Sequence, residues 1–541
     1  MIRVLDCTLR DGGRIINCEF EDSYIREMSY KLAAAKIDIV EIGFLRDWRN
    51  VNYQGNSTFF TDVEQIVPFV DKTSNSMYVA FVDFGMFDFD SLRPFDGRSI
   101  DGIRVGFTKK NFLNEKDEIV RSLHIVKDRG YKLFIQGVNS LAYSDKEMLE
   151  VIEMVNEIEP FSFGIVDTYG AMYQDDVSSI FNLINHNLLK GICIDFHSHN
   201  NYQLSFSLAQ EMISLSYGKR DIIIDSTLNG MGKVAGNLNT ELLVDYLVRK
   251  CGMDYEFNLI CDLIDDYIYP YKKGYEWGYS IPALMAGIYQ SHPNNVIYLT
   301  SKFRLQSRDI KNLISMIDPE LRQRYDYDNI EKLYVEYTAT KIDDMETIQS
   351  LKKMFGDKKI LVIVPGSSII DNKEKIDLYA RKEDVFTISV NFADPRAAIV
   401  FYGNKKRYFN LTSARLNKPS IVTSNIAPDN ENDYVVNYYD LIDTQYKYFE
   451  NSTMMLLYLL RRIGVENICL AGFDGFKTEL KTNYINNSFQ NDRHIEEFDE
   501  INREIQKMME EYIHSIKYKC NISFLTDSLY CKTGKEVKCL Q

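Results

Sequence analysis

The chain has 541 residues, 45% hydrophobic and 26% charged, with a formal net charge of −15 at neutral pH. That length exceeds one ordinary domain, although α/β barrels alone reach ~250 residues, so two domains, one of them large, are expected. The acidic balance argues against a nucleic-acid or membrane-surface role, either of which calls for a basic face.

The opening run, Met1-Ile2-Arg3-Val4-Leu5-Asp6, reads as a strand rather than a leader, and no apolar stretch approaches the ~20 residues of a membrane helix. The nine cysteines are scattered without paired zinc-ligand spacing, so reduced thiols in a cytoplasmic protein are expected. From residue 1 to 290, short apolar runs alternate with longer stretches of helical periodicity. Strand candidates fall at 2–6, 37–42, 78–82, 102–106, 132–137, 163–166, 191–196 and 221–224. Eight strands with helical crossovers in ~250 residues predict a (β/α)8 barrel. A doubly wound open sheet is the alternative, but the Gly-rich phosphate turn it would carry after the first strand is absent.

Polar residues then recur at the C-terminal ends of these strands. Arg10 and Asp11 follow the first, Glu41 ends the second and Asp83 follows the third. Gln136 ends the fifth, Asp167 and Thr168 follow the sixth, His197 and His199 follow the seventh, and Asn229 to Asn237 follow the eighth. In an extended segment, side chains at i and i+2 share a side, so His197 and His199 can reach one first-row divalent ion. An isolated His-x-His is more often a pair of surface histidines. Convergence of all these strand ends on one barrel mouth favours a site instead.

Residues 291–357 read as a helical extension or connector, and its apolar faces suggest a homo-oligomer. Aromatics at 267–279, among them Tyr271 and Trp277, suit either the barrel mouth or its flank. A second α/β pattern occupies 358–541, with strand candidates at 359–364, 385–391, 397–402, 420–423, 467–471 and 522–525. It predicts an open Rossmann-like sheet, and the turn at Gly366, Ser367 and Ser368 could offer backbone N–H groups to a phosphate.

The runs Leu5-Asp6-Cys7-Thr8-Leu9-Arg10-Asp11-Gly12-Gly13, His197-Ser198-His199-Asn200 and Asn229-Gly230-Met231-Gly232-Lys233-Val234-Ala235-Gly236-Asn237 carry a family resemblance. Over 1–290 the chain resembles the metal-dependent pyruvate-aldolase and hydroxymethylglutaryl-CoA-lyase-like barrels, most of all 4-hydroxy-2-oxovalerate aldolase. The resemblance implies a divalent metal (Mn, Mg or Zn) on Asp11, His197 and His199, with Asn237 as fourth ligand or close neighbour. It implies that Arg10 holds the substrate carbonyl oxygen and stabilises an enolate, that Gln136 and Thr168 bind substrate, and that Glu41 orients the loop. The chemistry suits the residues: a guanidinium keeps its proton and supplies fixed positive charge to an enolate oxygen.

One position departs from the family. The histidine that serves those aldolases as base is Arg14 here, a poor base that could instead bind a phosphate or second carboxylate. A water chain, a tyrosine such as Tyr24, or the substrate itself could take the base's role. The lyase-type cysteine of the strand-eight loop is also missing, which disfavours hydroxymethylglutaryl-CoA cleavage.

Residues 358–541 resemble bacterial sialyltransferase-like Rossmann domains through the segments around Val364 to Ile369, Ile388 to Asn391, Asn451 to Thr453 and Leu470 to Gly475. That resemblance implies a nucleotide or nucleotide-sugar near Gly366, Ser367, Asn391, Ser452 and Asp474, with His494 near the place of a base. The combined expectation is a metal-dependent aldolase acting on pyruvate or another 2-oxo acid and an aldehyde, within surface-glycan or unusual-sugar biosynthesis, fused to a transferase-like domain. The alternatives are a Claisen-type acyltransferase using acetyl-CoA and a non-catalytic ligand-binding barrel that regulates the second domain.

Overall fold

Parallel, mostly apolar strands dominate the computed structural model, which describes residues 1–303, 305, 307–338, 342–410, 418–426, 433–478, 483–485, 497–514, 520–532 and 538–539. They group into two compact units, Met1–Tyr327 and Asp328–Gln541, taken here in turn.

In the first unit the strands are β1 (Ile2–Asp6), β2 (Ile39–Leu45), β3 (Phe59–Phe60), β4 (Met77–Asp83), β5 (Gly102–Thr108), β6 (Lys132–Val138), β7 (Ser162–Asp167), β8 (Cys193–Ser198) and β9 (Ile222–Ser226). All pair in parallel, in the order β1-β9-β8-β7-β6-β5-β4-β2-β3, and β1 also pairs β2. The eight strands other than β3 therefore close into a (β/α)8 barrel, with β3 outside the ring beside β2. The second strand begins at Ile39 rather than 37, because Ile37 follows Lys36, whose φ of 67° turns the chain out of the helix Asp22–Ala34.

The crossover helices start where the sequence supplies caps. Thr108 with Asn111 closes a capping box before the helix Lys109–Asp128, and Ser144 with Glu147 does so before Asp145–Ile158. Outward-facing strand residues such as Val40, Ile103, Ile135, Ile194 and Ile224 join those helices in one apolar core.

Inward-facing residues change character along the strands. Leu5, Ile39, Val79, Phe134, Cys193 and Ile223 form a separate apolar plug. Two residues further along, the same faces carry Glu41, Gln136, Asp195 and Asp225, with Arg104 of β5 among them. This second layer is a buried ionic network. Arg104, 0% exposed, lies 3.1 Å from Glu41 and 2.7 Å from Asp225. The Gln136 amide donates to both Asp195 oxygens at 2.9 and 2.7 Å, and a Cβ on Gly164 would lie 2.1 Å from the Gln136 Oε1, so only glycine fits there.

Beyond the barrel, helices at Ile281–Ile288, Pro293–Phe303, Ser307–Met316 and Pro319–Arg322 complete the first unit. The stretch 291–357 is thus divided, its part up to Tyr327 clustering with the barrel.

The second unit holds a parallel sheet of β10 (Lys359–Ile363), β11 (Val385–Val390), β12 (Ile399–Tyr402), β13 (Ser420–Thr423), β14 (Asp433–Val436), β15 (Asn467–Ala471), β16 (Asn521–Phe524) and β17 (Lys538–Cys539). Its order is β14-β13-β12-β11-β10-β15-β16-β17, so the direction of winding reverses between β10 and β15. The helix Ser452–Ile463, capped by the Asn451 side chain, packs nearly all its apolar residues inward. Cys7, Cys18, Cys193, Cys251, Cys261, Cys469 and Cys520 are free thiols, whereas Cys531 is disulfide-bonded, so the expectation of uniformly reduced cysteines does not hold. Among the described residues no helix is long and apolar enough to cross a membrane.

Candidate metal centre and substrate cavity

The next inward residue above Asp195 on β8 is His197, and it meets the loop after β1 at the barrel mouth. Ligand atoms of Asp11, His197 and His199 all lie within 4.8 Å of one another. His197 Nδ1 faces Asp225 Oδ2 at 3.0 Å, and since a carboxylate only accepts, Nδ1 carries the proton and Nε2 is free toward the cluster. Burial pushes the His199 imidazole down to about 4, so it is neutral near pH 7, the form that binds metal. Burial would raise the Asp11 carboxyl, but Arg10, the two imidazoles and Arg14 outweigh it and hold the group well below the usual carboxylate range. Asn237 donates its amide to Asp11 Oδ2 and to the Met231 carbonyl, both at 3.0 Å, while its Oδ1 is buried with no partner. Two imidazoles, a carboxylate and an orphaned amide oxygen fit a first-row divalent cation. A second grouping, Cys7 with His197 and Asp225, fits poorly, because burial raises the Cys7 thiol and its Sγ–H donates to the Ser226 carbonyl.

Arg10 stands beside the cluster, locked by Glu41 Oε2 and Asp11 Oδ1, each at 2.6 Å, with Phe81 under its guanidinium. Glu41 is fully buried between Arg10 and Arg104, and does not line the cavity. Gln136 and Thr168 do line it, the Thr168 hydroxyl accepting from the Asn139 backbone N–H at 2.8 Å. Arg14 also lines it, 3.4 Å from both Asp11 and Asp83. Tyr24 packs edge-on against Tyr267 and Tyr271 and is not among the described cavity residues.

The cavity measures about 970 Å³. Part of its wall comes from residues the sequence reading passed over: Lys109, Lys233, Gln290, His292 and Arg324. Arg104 and Asp225 were passed over too, although a lone charge inside an apolar strand, as in Gly102-Ile103-Arg104-Val105 or Ile223-Ile224-Asp225, was a readable signal. The aromatic stretch turns out to clamp the strand-eight loop. Trp277 Nε1 donates to the Asn229 carbonyl at 2.9 Å, and Lys272 reaches the Asn229 side chain.

In the second unit, Gly366 and Ser367 follow β10 and Asp474 follows β15, flanking the reversal of strand order where open α/β sheets bind ligands. The Asp474 carboxylate already takes the Ser368 N–H at 2.8 Å and the Ser368 hydroxyl at 2.5 Å. Asn391, at φ 62°, accepts from the Gly403 N–H, and a Cβ on Gly403 would meet the Ser452 hydroxyl at 3.0 Å, so Asn391 and Ser452 gather around Gly403. His494 lies outside the described residues.

Residues 104–265 match the HMGL-like family. The chain is 25% identical over 322 residues to 4-hydroxy-2-oxovalerate aldolase of Carboxydothermus hydrogenoformans, covering 57% of this chain and 90% of the relative. It is 26% identical over 268 residues to the enzyme of that name from Serratia proteamaculans, covering 48% and 77%. Among solved structures, hydroxymethylglutaryl-CoA lyase from Pseudomonas aeruginosa aligns with a TM-score of 0.41 at 14% identity, over 54% of this chain and 97% of that one.

Proposed function

From an HMGL-like barrel built in this way, we propose a divalent-metal-dependent carbon–carbon lyase that makes or breaks an aldol bond next to the carbonyl of pyruvate or another 2-oxo acid. The observation that carries the reading is the placement of Arg10, fixed by two carboxylates, beside the cluster of Asp11, His197 and His199 on the cavity wall. When bound, the cation supplies Lewis acidity to the 2-oxo acid.

The chain's own residues do the rest. Asp11, His197 and His199, with the free Asn237 oxygen, would hold the cation, and Asp225 sets the His197 tautomer. Arg10 stays protonated, since Glu41 and Asp11 outweigh the effect of its burial, and presents fixed positive charge to the oxygen that becomes negative as the carbanion forms. Because its partners already hold it in place, little reorganisation accompanies that step. Thr168 and Gln136 stand on the cavity wall where a carboxylate end would be received.

The test follows pyruvate methyl protons by NMR in heavy water with Mn or Mg present. Exchange is expected with the native chain, and its loss on chelation or in Asp11→Asn. Arg10→Lys, which cannot bridge both carboxylates, is expected to slow exchange by about 10²–10³-fold. No exchange with either metal would sink the proposal, and thiol release from acetyl-CoA and a 2-oxo acid would reassign the barrel to Claisen chemistry.

A further inference from the structure

We infer that Arg14, Lys233 and His292 form an anion-binding subsite in the cavity, which receives a phosphate or carboxylate carried by the acceptor aldehyde. The inference rests on the aldolase reading for the word acceptor, and on geometry for the anion.

Three features support it. The first is charge that is only partly compensated. Arg14 reaches Asp11 and Asp83 only at 3.4 Å, and each of those carboxylates is already held at 2.6 Å, by Arg10 and Arg46 respectively. Lys233 is half-buried on the cavity wall, and its hydrogen bond goes to the neutral Asn294 Oδ1 at 3.1 Å. Burial and the nearby Arg14 both lower its pKa, and the opposing effect of Asp11 does not offset them.

The second feature is His292. Its Nδ1 accepts the Asn294 backbone N–H at 3.1 Å, so the proton of the neutral ring sits on Nε2 and the ring offers a donor. Burial, Lys233 and Arg14 push this imidazole down to about 4, so the ring is neutral near pH 7, and it lines the same cavity as both cations. Lys109, Lys110 and Arg324 also line the cavity, against Asp11, Asp83 and Glu320.

The third is strain at the segment that aims Lys233. Val234 holds a φ of 59°, costly for a β-branched residue. The turn is pinned by the hydrogen bonds Gly278 N–H to Val234 O at 3.0 Å and Gly236 N–H to Lys233 O at 3.0 Å. Size agrees: about 970 Å³ is in the range of drug-sized ligands and far exceeds a three-carbon acid.

The test is calorimetric titration of the full chain, stripped of metal, with inorganic phosphate and separately with succinate. At least one probe is expected to bind saturably, weakened about tenfold or more by Lys233→Gln and largely restored by Lys233→Arg. Phosphate binding alone assigns a phosphorylated acceptor and succinate binding alone a carboxylated one; both outcomes support the subsite. Failure of both probes to bind, or binding that Lys233→Gln leaves unchanged in a variant that melts like the native chain, overturns it. In the metal-loaded enzyme Lys233→Gln is expected to raise KM for glycolaldehyde phosphate more than for acetaldehyde. Because the titration needs no metal and no turnover, phosphate binding without pyruvate exchange would leave the anion subsite standing while removing the aldolase reading.

Discussion

Asp6 is buried at the end of β1, accepting from the Thr8 N–H at 2.9 Å and the Thr240 hydroxyl at 2.7 Å, yet burial still raises its carboxyl to about 6. Between about pH 4 and 6 the unfolded chain releases this proton while the folded chain keeps it, so Asp6 lowers stability as pH rises through that window and adds no slope above it. Asp6→Asn is expected to remove that part of the slope, stabilising the protein at pH 7 relative to pH 4 by about 1–3 kcal/mol, measured as the difference between variant and native urea melts. At this scale the readable residues were those with an unusual neighbour in sequence, such as the His197–His199 pair or Arg10-Asp11. His292 and Lys233 were not readable as site residues. One lies directly before the helix Pro293–Phe303, far along the chain, and the other in a glycine-rich loop, and only the fold brings them to the same cavity.

The element that bears most on the site is the loop from Asn229 to Asn237. Asn229, Gly230, Val234 and Gly236 all take positive φ, and a Cβ on Gly236 would fall 2.0 Å from the Gly230 carbonyl oxygen. Gly236→Ala is therefore expected to displace Asn237 and weaken Mn binding about 10–100-fold by titration, with a melting temperature only a few degrees lower. Barrel strands were legible because each is a short apolar run, and their helices because caps such as Ser144 with Glu147 mark the starts. The four-residue β14 and two-residue β17 were not, since such short strands take their stability from neighbours across the sheet rather than from their own composition.

For the whole molecule, every described residue lining the cavity lies between Arg10 and Arg324, within the unit Met1–Tyr327. A chain ending at Tyr327 is expected to fold and to keep Mn binding within about threefold of the full length, whereas one ending at Gln290 loses His292 and the helices beyond it and is expected to aggregate. Size-exclusion chromatography with metal titration distinguishes the two. The barrel was legible from the count and spacing of strands; the grouping of the helices up to Tyr327 with it was not, because their apolar faces fit a connector equally well. Deeper in the barrel, Arg104 on β5 ties Glu41 on β2 to Asp225 on β9, and through them Arg10 to His197. In an evolving lineage, losing any one member of that triad strands a buried charge at about 3–5 kcal/mol. Single steps away from it are closed, so the three strands must change together or not at all. Substitutions can accumulate at the rim, on loops such as the one bearing Lys233, and new acceptor preferences can arise there while the ionic floor stays fixed.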